Sequence, residues 1–274
     1  MAGSARMKTT RQLAALFLAA VAAAAVFADW IAPAGYAMQF RDTPNLGPGR
    51  RFPLGTDDLG RDRLARMLHG SRVSLLLAPA AALLSTALAA LLGGVAGFAG
   101  GWLERLFLRV TDLFISLPWL FLLLTIRALL PLNLPPWTSV TATFALLGLL
   151  GWPGPARVVR ATVASLLRSE FLLQARASGA SRARLLCAHL LPNLKPVLLA
   201  QFSVSVPVFI LAEASLGLLG LGVSEPLPSW GNLLRGLENY PAVVQNPTAV
   251  IPAVLLLLVV ISFHLTLPQE DAAL

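Results

Sequence analysis

Glu213 is the one carboxylate set deep in a long apolar run, between Phe209-Ile210-Leu211-Ala212 and Ala214-Ser215-Leu216. Burying a charge there is costly, so such a residue either relays a proton or sodium ion or holds two helices together by hydrogen bonds. A single carboxylate favours the second reading. His69, His189 and His264 are widely separated and Cys187 is the only cysteine, so neither a metal cluster, a cofactor nor an intrachain disulfide is expected. The phosphate-cradling pattern G-x-x-x-x-G-K-[ST] is absent, because the only lysines, Lys8 and Lys195, are followed by Thr and Pro with no glycines before them. A G-x-S-x-G elbow and an H-E-x-x-H helix are also missing, so no catalytic residue can be named and an enzyme is not expected.

The other segment with functional character runs from Arg160 to Lys195 and is distinctly basic. Its pattern predicts a helix over Phe171-Leu172-Leu173-Gln174-Ala175-Arg176-Ala177-Ser178, a turn at Gly179-Ala180-Ser181, and a second helix from Arg182 to Leu191 stopped by Pro192. It is too polar to cross a membrane, and its arginines place it on the cytoplasmic surface. It is either an ordinary surface loop or a docking element through which a cytoplasmic motor pushes on the rest of the chain.

The elements that must carry these residues are membrane spans. The 274 residues are 57% hydrophobic and 12% charged, with mean hydropathy +0.74, about half the charge of an ordinary soluble domain, where roughly a quarter of residues are charged. No Asp, Glu, Lys or Arg falls between Arg72 and Glu104, between Arg127 and Arg157, or between Glu238 and Glu270. Each gap exceeds the roughly 20 apolar residues that cross a bilayer core. An all-α integral membrane protein of about six transmembrane helices follows, with spans near 12–28, 73–99, 108–130, 138–159, 196–222 and 243–267. The first run is long for the apolar core of a cleaved leader, and more spans follow it, so it is expected to be retained.

The expected organisation is an N-terminus and first span over 1–35, a polar loop with a short amphipathic helix near Arg61 to Ser71 over 36–72, a transmembrane core over 73–267 that contains the basic loop 160–195, and a tail over 268–274. The small residues from Gly93 to Gly101 suit a packed bundle or dimer face, or reflect only the frequency of glycine in membrane helices. Arg127, near the end of its span, is expected to snorkel to the interface. The basic residues Arg6, Lys8, Arg11, Arg105, Arg109 and those of 157–195 put both termini in the cytoplasm. Arg41, Arg50, Arg51, Arg61, Arg63, Arg66 and Arg72 then lie outside, against the rule. The net charge of +8 reads as orientation and anionic-lipid contact rather than nucleic-acid binding, since no basic helix or aromatic-basic interleaving accompanies it.

Gly179 followed by Leu191-Pro192-Asn193 resembles the cytoplasmic coupling loop of binding-protein-dependent ABC importer permeases. The resemblance extends to Leu54 to Asp62 (LGTDDLGRD), Gly70 to Leu75, Arg109 with Asp112, Gly151 to Arg160 (GWPGPARVVR), His189 to Asn193, Glu213 with Leu219-Gly220-Leu221-Gly222, and Pro228-Ser229-Trp230-Gly231. Over roughly residues 50 to 235 these resemble the dipeptide, oligopeptide and nickel permease group. The family's Glu-Ala-Ala reads Leu173-Gln174-Ala175 here, and Phe263 to Leu274 lacks the usual Gly-Asp and Arg-Asp pattern.

The resemblance implies a type I ABC importer permease fold in a bacterial inner membrane. It also implies an ATPase-coupling loop containing Leu173, Gln174, Ala175, Gly179, Leu191 and Pro192. The implied partners are two nucleotide-binding ATPase subunits, a second homologous permease, an extracytoplasmic substrate-binding protein and membrane lipid. Two other classes stay open on residues alone: an ion-coupled secondary transporter using Glu213, and a non-transporting membrane assembly protein.

Overall fold

The computed structural model describes residues 2–131 and 134–266. Among them the chain is helical, with no strand beyond an isolated antiparallel bridge between Thr56 and Asp62. Helix α1 (Ala2–Val26) and the one-turn α2 (Ala28–Ile31) lead into an irregular segment, 32–62, and then into α3 (Arg63–Ala99). Asp62 starts α3 by accepting hydrogen bonds from Leu64 N (2.7 Å) and Ala65 N (3.0 Å), two of the amide groups that a helix start leaves unpaired. The amphipathic helix expected near Arg61 to Ser71 and the span expected from Val73 are thus one helix of 37 residues. At 1.5 Å per residue it is about 55 Å long, well beyond a hydrocarbon core of about 30 Å, so its first turns extend out of the membrane.

Gly100 and Gly101 turn the chain into α4 (Gly101–Ser116), and α5 (Trp119–Leu129) follows. The single span expected near 108–130 is bent here by 85°. Pro118 is the cause, because its ring pushes the preceding residue out of the helical region and Leu117 is extended. The fourth expected span is likewise divided, into α6 (Pro136–Leu150) and α7 (Pro153–Leu166), with Pro153 opening the second piece. Next come α8 (Glu170–Ala177), the short α9 (Arg182–Arg184), a π-helical turn over Leu185–Leu190, and α10 (Leu191–Leu218). Beyond a loop lie α11 (Trp230–Arg235), α12 (Tyr240–Gln245) and α13 (Ile251–Thr266).

Four stretches are long and apolar enough to cross a membrane: Lys8–Val26, Arg63–Ala99, Arg182–Leu218 and Pro247–Thr266. The bent pair α4–α5 makes a fifth. The sixth apolar segment, α6, has 15 residues and rises only about 22 Å. The tail 268–274 lies outside the described residues.

Helix α3 is the centre, packed by α1, α6, α7 and α10. Its Val73, Ala78, Ala81 and Ala82 share a core with Phe144 and Leu147 of α6, Phe209 and Ile210 of α10, and Trp230. Gly93 and Gly97 serve helix packing rather than being incidental glycines. A Cβ on Gly93 would collide with the Ala156 carbonyl, and one on Gly97 would sit 2.7 Å from the Arg160 carbonyl, so α7 lies directly on the backbone of α3. Large apolar side chains such as Leu76, Leu83, Leu91, Leu113, Phe121, Leu257 and Ile261 point outward, the inverse of a soluble surface. One end of the bundle carries the segments 32–62 and 219–250 and is called the loop end; the opposite end carries 99–105 and 167–190.

Candidate functional site

At the opposite end, α8 forms a short, mostly exposed helix tied down by one residue. Leu172 is fully buried among Val159, Val163, Leu185, Leu190 and Leu194. The carbonyl-rich end of α8 is closed by Ser178 N to Gln174 O, Gly179 N to Arg176 O (3.0 Å) and Ala180 N to Ala175 O (3.1 Å). The last two bonds form the helix stop that requires a left-handed residue just past the end, and Gly179 supplies it with φ +80°. Ser181 then opens the next helix, its hydroxyl accepting from Arg184 N.

That next helix does not stop at Pro192, as its sequence suggested. The π-helical turn at Leu185–Leu190 absorbs the missing proline amide, Pro192 falls in the first turn of α10, and Asn193 Nδ2 donates to the His189 carbonyl at 2.6 Å. Arg182–Leu218 is therefore one continuous element from end to end.

Of the residues singled out in this hairpin, Leu173 and Gln174 are exposed, Ala175 packs against the Leu172 cluster, Gly179 forms the turn, and Leu191 and Pro192 lie exposed on the continuous helix. The buried anchors are each one position earlier, Leu172 and Leu190. Phe171 and Leu173 lie exposed on either flank of Leu172, with Arg176, Arg182 and Arg184 exposed nearby. Two ion pairs brace α7 against α4 nearby, Arg157 with Asp112 and Arg160 with Glu104.

Glu213 lies fully buried in α10 near the loop end. Its Oε2 accepts from Ser74 Oγ of α3 (3.3 Å) and Gly231 N (3.4 Å), and Ser74 Oγ accepts in turn from Trp230 N. Trp230 Nε1 donates to Ser71 Oγ at 2.9 Å. The loop 223–231 thus folds back into the bundle and is held there by Glu213, Ser74 and Ser71. The backbone of Gly231 lies so close to that of Gly217 that a side chain on Gly217 would collide with it. No second ionisable side chain hydrogen-bonds to Glu213 among the described residues.

A third site joins distant loops, and only its Asp57–Arg61 pair, four residues apart, had a local signal. Arg61 pairs with Asp57 and with Glu225, both at 2.7 Å, and Arg66 reaches Glu225 at 2.8 Å. Burial disfavours the Arg61 cation, but the charges of Asp57 and Glu225 together outweigh it and hold the group above its usual range. Asp62 is pushed up by burial, against the two backbone amides that it caps. Asp29 is held low by its hydrogen bonds to His69 and Arg72. Asn246 and Thr248 donate to the carbonyls of Leu46 and Leu54, tying 40–62 to the start of α13. A cleft of about 380 Å³ opens between these loops, lined by Asp57, Arg61, Arg66, Glu225 and Arg235 among others.

Five of the seven arginines that conflicted with the charge rule have local partners here. Arg61 and Arg66 sit in the ion network, Arg63 Nε donates to Thr56 O, Arg72 holds Ala25, Val26 and Asp29, and Arg51 lies over the Phe40 and Phe52 rings. These cations are spent on local structure.

Residues 89–267 match the family of binding-protein-dependent transport system inner membrane components. The chain is 37% identical over 231 residues to the di/tripeptide transport system permease protein DppC of Pseudomonas aeruginosa, covering 82% of this chain and 74% of that protein. It is 33% identical over 223 residues to the oligopeptide transport system permease protein OppC of Bacillus subtilis (81% and 70%). To the glutathione transport system permease protein GsiD of Escherichia coli it is 34% identical over 253 residues (92% and 81%). Across these and related permeases the match spans from 65% to 81% of their length.

Proposed function

The chain belongs to the family of binding-protein-dependent transport system inner membrane components, and from that premise we propose that it is the membrane-spanning permease subunit of an ATP-driven importer of peptides or a related small solute. It is a multi-pass protein of a bacterial inner membrane, and a system of this kind depends on a substrate-binding protein and an ATPase. In this reading the chain contributes half of the path and a second, similar permease the other half. Two ATPases dock at the opposite end, which faces the cytoplasm together with both termini, and the binding protein delivers cargo at the loop end.

The observation that carries the reading is the single element Arg182–Leu218. It begins at an exposed hairpin with apolar flanks and a basic surround, and it ends at the loop that Glu213 holds inside the bundle. A push on α8 is transmitted through Leu172 to α7 and to the base of α10, whose other end positions the loop 223–231. Glu213 acts as the latch of that loop, and its hydrogen bonds to Ser74 and Gly231 favour this role over an ion relay.

The test is co-expression with the ATPase, second permease and binding-protein subunits of one system. ATP-dependent uptake of a tripeptide into proteoliposomes, with recovery of the ATPase on the tagged permease and no ATP hydrolysis by the lone chain, supports the reading. Uptake driven by an ion gradient without ATPase would overturn it.

A further inference from the structure

Arg127 near the end of α5 does not snorkel. It is 1% exposed, enclosed at the loop end between α6 and the loop after α10. Its Nη2 donates to Ser139 Oγ (3.1 Å) and to the Gly222 carbonyl (3.2 Å), and Ser139 Oγ also accepts from Ser224 N. Its Nε and Nη1 are buried with no hydrogen-bond partner, and no carboxylate pairs with it among the described residues. A guanidinium stripped of water in a membrane protein without a counter-charge is costly, and such groups mark ligand paths.

A cavity of about 260 Å³ adjoins it, lined by Arg127, Gly222, Ser224, Glu225, Asn232 and Arg235 among others. Glu225, the acid of this lining, already gives its two oxygens to Arg61 and Arg66. Arg235 is largely exposed and lies 3.9 Å from Glu238. One buried cation is therefore left over, which calls for one negative charge. A planar carboxylate pairs with a guanidinium in this setting, and Ser224 and Asn232 offer polar neighbours.

We propose that Arg127 anchors an anion site that takes the C-terminal carboxylate of peptide cargo entering from the loop end. The proposal rests on the peptide-import reading above.

The test uses the assembled transporter in detergent and in proteoliposomes, with trialanine and its C-terminal amide as probes. The free acid should raise the melting temperature of the wild-type complex and the amide should not. Arg127→Gln should abolish the free-acid effect and lower trialanine uptake roughly ten- to a hundredfold, the worth of one charge-assisted hydrogen bond, while partner recovery stays unchanged. Arg127→Lys, which keeps the charge, should restore part of the response.

Equal responses to acid and amide in the wild type would overturn the proposal without any variant, as would an unchanged free-acid response in Arg127→Gln. Loss of partner recovery in Arg127→Gln would assign the cation to a carboxylate of a partner subunit instead. Equal protection by sodium chloride would reduce the site to an inorganic-anion site. A wild-type complex that neither binds nor imports either probe would overturn the peptide reading itself, an outcome distinct from a complex that handles both alike.

Discussion

Arg66 and Glu225, 159 positions apart in the chain, meet at 2.8 Å at the loop end, and the second oxygen of Glu225 is held by Arg61. This contact fastens the start of α3 to the loop that carries Trp230. The guanidinium side chains are 3% and 9% exposed, so they have little water to fall back on. Glu225→Ala should lower the stability of the purified permease by about 1–3 kcal/mol, because it leaves two nearly buried cations to Asp57 alone. Glu238→Ala, which breaks only the exposed contact with Arg235, should cost less than about 0.5 kcal/mol. Thermal melts in detergent measure both, and equal effects would remove the network's structural role.

Asp62 gives a pH-dependent counterpart. Its carboxyl is raised by burial in the folded chain, so the stability attached to its protonated form is present below the ordinary carboxylate range and is lost as pH rises through the folded value. Asp62→Asn keeps the cap on Leu64 and Ala65 and removes this loss, so the melting temperature of the variant relative to wild type should grow from acid to neutral pH. Asp62→Ala removes the cap and should cost about 1 kcal/mol. A relative melting temperature that falls toward neutral pH would contradict the burial argument.

The glycine contact between α3 and α7 separates packing from composition. Gly97→Val forces a side chain against the Arg160 carbonyl and Val163 and should cost about 1–3 kcal/mol or more through overpacking. Gly94→Ala, where a Cβ meets nothing within 4 Å, should be tolerated. The yield of folded, detergent-stable protein reads the difference, and parallel losses would show that the contact with α7 does not govern the site, since both substitutions raise helix propensity.

Gly179 is surrounded by open space but held at φ +80°, so its substitution acts through the backbone alone. Gly179→Val should insert normally and redirect the hairpin at a local cost of roughly 1–2 kcal/mol, with uptake and ATPase recovery falling together. Gly179→Asn, which tolerates the left-handed region, should keep most of both. Normal uptake by the valine variant at matched permease levels would remove the coupling role from this turn.

Orientation can be read with the chain's own cysteine. Cys187 is exposed on the hairpin side of the bundle and should react with a membrane-impermeant maleimide only after the membrane is broken. In a Cys187→Ser background, Arg50→Cys at the loop end should react in intact cells. The reverse pattern would invert the topology.

Much of the bundle was legible in the residues, because crossing a bilayer imposes local demands: long charge-free runs, basic flanks and a helix for every span. The hairpin turn at Gly179 was legible for the same kind of reason, since a left-handed helix stop favours glycine at one position. The misplaced helix breaks of the bent span and of the hairpin came from proline. Its effect depends on context: Pro118 bends a span, whereas Pro192 is absorbed by a π-helical turn and interrupts nothing.

What the sequence by itself determined is the environment of the chain and the sites where it turns, since hydropathy and turn chemistry act over a few neighbouring residues. Only the tertiary structure decided the partners of charged and polar groups and the anchor of α8: Glu225 between Arg61 and Arg66, Glu213 against Ser74 and Gly231, Arg127 buried without a counter-charge, and Leu172 in the core. These pairings join residues far apart in the chain. They depend on which helix faces meet, and no local spacing carries that information.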